Sequence, residues 1–117
     1  MSRDRAFWEA LDRLAEGARL VLDRPRGSRH PRFPNIVYPL DYGYLEGTQA
    51  ADGGGVDVWR GSLAEPRVCG AVATVDLLKR DTELKLLIGC TAEERAAALA
   101  FHNDGGPMKA LMMERPD

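Results

Sequence analysis

Residues 38–57 read YPLDYGYLEGTQAADGGGVD, a stretch with three tyrosines, three aspartates and the run Gly53-Gly54-Gly55. It has too many polar groups and too much backbone freedom for a core strand. Glycine admits left-handed backbone and close approach to a ligand, so the segment reads as a loop that gathers carboxylates, Asp52 and Asp57, around a bound group. A second row of charge lies in residues 79–89, KRDTELKLLIG. In an extended strand Asp81, Glu83 and Lys85 share one face, and Thr82, Leu84 and Leu86 the other. Taken alone, that row equally describes a solvated sheet face. Upstream, Arg24, Arg26, Arg29 and Arg32 stand in residues 24–32 with no acid among them. Guanidinium groups bind phosphate oxygens in a bidentate fork, although a solvated arginine face is the plainer reading. Tyr38 and Tyr42 can donate from their hydroxyls to an oxyanion or sit half-buried.

Carboxylates with water suit Mg²⁺, which keeps several waters and completes its shell with substrate phosphates. Cations and phenols beside it would hold the phosphate oxygens. The set points to metal-assisted hydrolysis of a phosphoanhydride. Other classes lack their signatures. There is no GxxxxGK[ST] loop, no GxSxG elbow and no zinc-type histidine pair, and residues 52–57 lack the spacing of a calcium loop. A net charge of −2 over 117 residues gives no reason to expect nucleic-acid binding. No apolar run has the length of a membrane span, and residues 1–10 lack the hydrophobic region of a signal peptide. Cys69 and Cys90 show no metal or redox spacing and read as buried thiols in a reducing, cytoplasmic compartment.

The elements that must position these residues follow from periodicity. Residues 4–16 predict a helix with Phe7, Ala10, Leu11 and Leu14 on its core face, Trp8 to one side and Asp4 able to cap its start. Residues 18–23 predict a strand, stopped by Pro25, and residues 24–35 a proline-bearing loop in which His30 reads as a surface side chain. Short extended pieces are expected at 36–38, at 41–44 and at 56–59, where Val56 and Val58 face the core and Asp57 the other side. A long strand is expected over 67–78, with Gly70 at a bulge or close approach. The row at 79–89 follows. Thr91 and Glu94 form a capping box for a helix over 92–102, and 109–113 is a last strand or a packed segment. The fold class is mainly β with flanking helices (α+β), one domain over residues 1–117, built as a small barrel or curled sheet with helices outside.

At these residues the chain resembles the soluble family I inorganic pyrophosphatases. Tyr38-Pro39-Leu40-Asp41-Tyr42-Gly43-Tyr44 followed by Gly47-Thr48 matches the family's PxxYGY-like segment. Asp52-Gly53-Gly54-Gly55-Val56-Asp57 matches its aspartate signature, Asp81, Glu83 and Lys85 its later acidic strand, and Asp23-Arg24-Pro25 its early strand end. The likeness spans about residues 18–90. It is nearest to short, divergent members with a DRPxGSxHP segment, here residues 23–31. The resemblance implies an OB-like five-stranded β-barrel with an N-terminal and a C-terminal helix packed outside. It implies Asp52, Asp57, Asp81 and Glu83 as Mg²⁺ ligands, and Tyr38, Tyr42, Lys85 and Arg29 or Arg32 as holders of phosphate oxygens. Asp52, Asp57, Lys85 and Tyr42 would carry the hydrolysis of pyrophosphate or a related phosphoanhydride, in a cytoplasmic homo-oligomer.

The chain departs from that pattern at Gly54, where the family places a metal-bridging aspartate. Pro34 stands near another family acid, and His102 and Asn103 lie where the family carries a Tyr-Lys pair. Asp41 and Asp76 are the candidates to replace the lost carboxylate. Two functions are therefore expected: a Mg²⁺-dependent pyrophosphatase, weak if Gly54 is uncompensated, or a non-catalytic module of the same fold that binds phosphate, a nucleotide or a protein partner.

Overall fold

The computed structural model describes residues 2–104 and 106–116. In chain order these are α1 (Ser2–Glu16), β1 (Leu20–Arg24), β2 (Asp41–Leu45), β3 (Val56–Arg60), β4 (Val68–Asp76), β5 (Asp81–Ile88), α2 (Ala92–Asn103) and β6 (Met108–Glu114). The strands form one sheet in the order β1-β2-β3-β5-β4-β6. All neighbours are antiparallel except β3 and β5, which run parallel.

The α+β class is as expected, but the sheet has six strands and is open: β1 and β6 are its edges and do not pair with each other. The additional strand is the C-terminal segment, which pairs with β4 from Gly70↔Glu114 to Asp76↔Met108. Residues 36–38 do not join the sheet. Pro34 and Pro39 flank them and cannot donate to a ladder, so only an isolated bridge Arg29↔Val37 forms. The long strand also ends earlier than expected. Asp76 accepts at Oδ1 from the N–H groups of Leu78 (3.0 Å) and Lys79 (3.1 Å), which turns the chain and leaves Leu77 and Leu78 exposed.

Strand alternation divides the core between the two faces of the sheet. Val58, Ala71, Leu86 and Ile88 pack with Trp8 and Ala15 of α1. Trp59, Val72 and Leu87 pack with Tyr38, Leu40 and Ala98 of α2. The face of α1 differs from the expected stripe. Trp8, Leu11 and Ala15 meet the sheet, while Phe7 and Leu14 are exposed. The indole covers more apolar area than either, and its i, i+3, i+7 spacing is as helical as theirs. Thr91 and Glu94 do form the capping box of α2. A register shift between Val68 and Gly70 places a bulge at Cys69. Cys90 is buried, but Cys69 is only half-buried.

Candidate functional site

The side chains that could do chemistry meet on the α2 face, where β2, β3 and β5 lie side by side. Tyr44 pairs with Asp57 and Tyr42 with Trp59, while Val58↔Leu86 and Trp59↔Leu87 fix the parallel junction. Asp57 on β3 thus comes beside Lys85 on β5. The Lys85 ammonium donates to Asp57 Oδ2, Glu83 Oε1 and the Tyr42 hydroxyl, each at 3.0 Å. Tyr42 in turn donates to Asp57 Oδ2 at 2.9 Å. The three donors of an ammonium are therefore all engaged.

Lys85 is 5% exposed. Burial alone would lower its pKa, but the hydrogen bonds and charges of Tyr42 and Asp57 outweigh burial and the net shift is upward. Burial pushes the Tyr42 phenol up, so it stays neutral and acts as a donor to Asp57. Lys85 therefore stands in a structural ion pair with Asp57 and Glu83, besides facing the cavity. The charged row is also the more enclosed side of its strand: Asp81 and Glu83 are half-buried, while Thr82 and Leu84 face solvent.

Asp52 sits in the glycine loop that enters β3. Its Oδ1 accepts from the Gly54 N–H at 3.0 Å, and that bond, followed by the Glu83 carboxyl, holds Asp52 below the usual carboxylate range. Gly53 at φ 91° supplies the left-handed turn. Gly55 lies under the Tyr44 ring, where a Cβ would stand 2.6 Å from Cδ2.

These groups line a cavity of about 510 Å³. Asp52, Asp57, Asp76, Asp81, Glu83 and Asp104 contribute carboxylates to its wall, and among the described residues only Lys79 and Lys85 contribute lysine or arginine cations. Tyr38 and Tyr42 line it as well. Among the described residues, no three acid, histidine or cysteine side chains stand close enough to hold a metal ion by themselves. Lys85 accounts for part of this, because its ammonium stands between Asp57 and Glu83.

Arg29 and Arg32 are not part of the cavity wall. Arg29 is spent on the Pro34 carbonyl at 2.9 Å, and Arg32 is exposed. Their loop turns His30 and Phe33 inward instead, with His30 Nδ1 accepting from the N–H groups of Arg32 (3.1 Å) and Phe33 (3.2 Å). Asp41 is also engaged elsewhere: Oδ1 accepts from the Arg26 N–H at 2.7 Å, and the residue does not line the cavity. It does not replace the carboxylate missing at Gly54.

His102, Phe101, Asp104 and Lys79 line the cavity without having been singled out as site residues. His102 is buried on α2, where its Nε2 accepts from the Trp59 indole at 3.0 Å. Burial first, and the Lys85 charge second, lower its pKa to about 4, so the ring is neutral. The signal for this wall is the i, i+1 placement of Phe101 and His102 at the end of an amphipathic helix. Such a pair reads as core until the sheet beneath it is known.

No protein-family model and no curated protein matches this chain in sequence. Its fold is nevertheless a known one. A crystal structure of an inorganic pyrophosphatase from Neisseria gonorrhoeae superposes with a TM-score of 0.60 at 18% identity, covering 82% of this chain and 81% of that one. The chain has a pyrophosphatase-like fold.

Proposed function

We propose that the protein hydrolyses a phosphoanhydride, with pyrophosphate as the simplest substrate and Mg²⁺ as cofactor. The observation that carries this reading is the Tyr42–Asp57–Lys85–Glu83 network on the wall of an acid-lined cavity, within a pyrophosphatase-like fold. The donors suit Mg²⁺. They are carboxylate oxygens without a three-residue cage, and this ion is commonly held by one or two carboxylates plus substrate phosphates. Its one or two carboxylate ligands would come from Asp52, Asp57, Asp81 and Glu83, and it would neutralise phosphate charge and make water more acidic there.

The chain's own groups supply the rest. Lys85 offers a fixed positive charge, and a phosphate oxygen that takes one of its three bonds replaces a carboxylate or the phenol. Tyr42 can transfer its donated bond from Asp57 to the same anion, because both share one oxygen of Asp57. Asp57 then accepts a proton or a cation in the space released. Free Cys69 and Cys90 support a reducing, cytoplasmic setting. Among the described residues no helix is long and apolar enough to cross a membrane. The exposed side chains Val75, Leu84 and Leu111, close together on the opposite sheet face, support a homo-oligomer, which light-scattering mass measures directly.

Calorimetry with Mg²⁺ and imidodiphosphate, a non-hydrolysable pyrophosphate analogue, tests the site. Asp52→Asn and Asp57→Asn should each weaken binding, and unchanged affinity in both removes the assignment. A second reading is favoured by one observation: Gly54 carries no side chain where the family has its metal-bridging aspartate. On that reading the module binds phosphate compounds without hydrolysing them.

A further inference from the structure

The cavity is larger than inorganic pyrophosphate alone would fill. At about 30 Å³ per water in the liquid, 510 Å³ holds on the order of 17 waters, well above the nine non-hydrogen atoms of pyrophosphate. It lies within the ~300–1,000 Å³ of pockets that take drug-sized ligands.

The same cavity is lined by His30, Phe33, Ile36, Tyr38 and Phe101. Tyr38 joins these side chains to the Tyr42–Asp57–Lys85 network. Its ring is 5.9 Å from Tyr42 on the acidic side, 4.7 Å from Phe101 and 6.2 Å from His30, with which it is nearly parallel at 6°. Phe33 packs on His30 at 5.2 Å yet remains 51% exposed, so much of its ring is open to solvent at the cavity wall. Since His30 Nδ1 accepts two backbone N–H groups, its Nε2 carries the proton and can donate to a heteroatom.

We infer that the substrate carries a heteroaromatic ring on its diphosphate, as in a nucleoside diphosphate, with the anhydride among the carboxylates and the base on the Phe33–His30–Tyr38 wall. An aromatic wall with a ring N–H donor fits a base better than an alkyl chain, because bases stack on side-chain rings and present hydrogen-bond acceptors. The inference rests on the phosphoanhydride reading above. The reaction would be nucleoside diphosphate plus water giving nucleoside monophosphate and phosphate. The water oxygen bonds to the terminal phosphorus, the anhydride P–O bond breaks, its electron pair stays on the nucleotide oxygen, and the water proton leaves to solvent.

The test is calorimetry on the full chain with Mg²⁺, comparing adenosine diphosphate, pyrophosphate and hexyl diphosphate, together with phosphate release from each. Adenosine diphosphate should bind at least ten-fold more tightly than the other two. In Phe33→Ala, an exposed position that leaves the core intact, the ratio of its dissociation constant to that of pyrophosphate should rise about ten-fold. Equal affinities, a hexyl diphosphate that matches the nucleotide, or a ratio unmoved in Phe33→Ala overturns the inference. Ring-dependent binding with no phosphate release from any of the three keeps it and removes the hydrolytic reading. Phosphate release with ring-independent binding does the reverse.

Discussion

Lys85 Nζ lies 3.0 Å from Asp57 Oδ2 across the one parallel junction of the sheet, and both reach the Tyr42 hydroxyl. This junction brings together residues 28 apart, and with them the two charged stretches of the chain.

Because the ammonium neutralises two carboxylates in a half-buried setting, Lys85→Met should destabilise the fold. Breaking a buried pair typically costs about 3–5 kcal/mol, and Asp57, whose side chain is 32% exposed, lowers the expectation to roughly 2–4 kcal/mol. Urea unfolding monitored by the Trp59 environment measures it. A variant as stable as the parent would mean that the two acids are hydrated without their partner.

His102 makes stability depend on pH. Its folded-state pKa of about 4 lies below the ordinary 6.5, so between those values the unfolded chain binds a proton that the folded chain excludes. Its contribution is fully present above pH 6.5 and is lost as pH falls toward 4, by about 3 kcal/mol in all. His102→Gln keeps an acceptor for the Trp59 indole but does not titrate. The difference in urea midpoint between parent and variant should change between pH 7 and pH 4.5; a constant difference contradicts the assignment.

Gly54→Asp should fold. Gly54 lacks a positive φ, and a Cβ there meets only Asp52 Oδ1 at 3.5 Å, an ordinary contact. Restoring a carboxylate beside Asp52 should raise phosphate release by up to about 10²-fold, as a positioned base typically does. The melting temperature, followed alongside turnover, should move little. A folded variant with no gain shows that a side chain at position 54 does not reach the reacting groups.

The site was legible where strand alternation alone decides which way a side chain points. Asp57 opposite Val56 and Val58, and the row Asp81, Glu83 and Lys85, needed only a period of two. Which side of β5 was enclosed was not legible, because that depends on α2 arriving over it. The arginines were misjudged for a related reason. In the 24–35 loop, orientation is set by the His30 bonds to two backbone N–H groups and by the bridge at Val37, which have no sequence period. The start of α2 followed from its capping box, whereas α1 begins at Ser2, so that Asp4 lies within its first turn and does not cap it, and the face of α1 was decided by the size of Trp8. A last strand over 109–113 was one of two readings of that apolar segment, and its partner was not legible, since pairing with β4 is a long-range choice.

The most direct measurement of the central claim is phosphate release from pyrophosphate and from adenosine diphosphate by purified protein, with Mg²⁺ and with a chelator. Release should require Mg²⁺, at a turnover below the roughly 10 s⁻¹ of a typical enzyme because position 54 is glycine. It should fall at least ten-fold in a folded Asp57→Asn variant. No release from either compound by the parent, or equal rates in parent and Asp57→Asn, would contradict the claim.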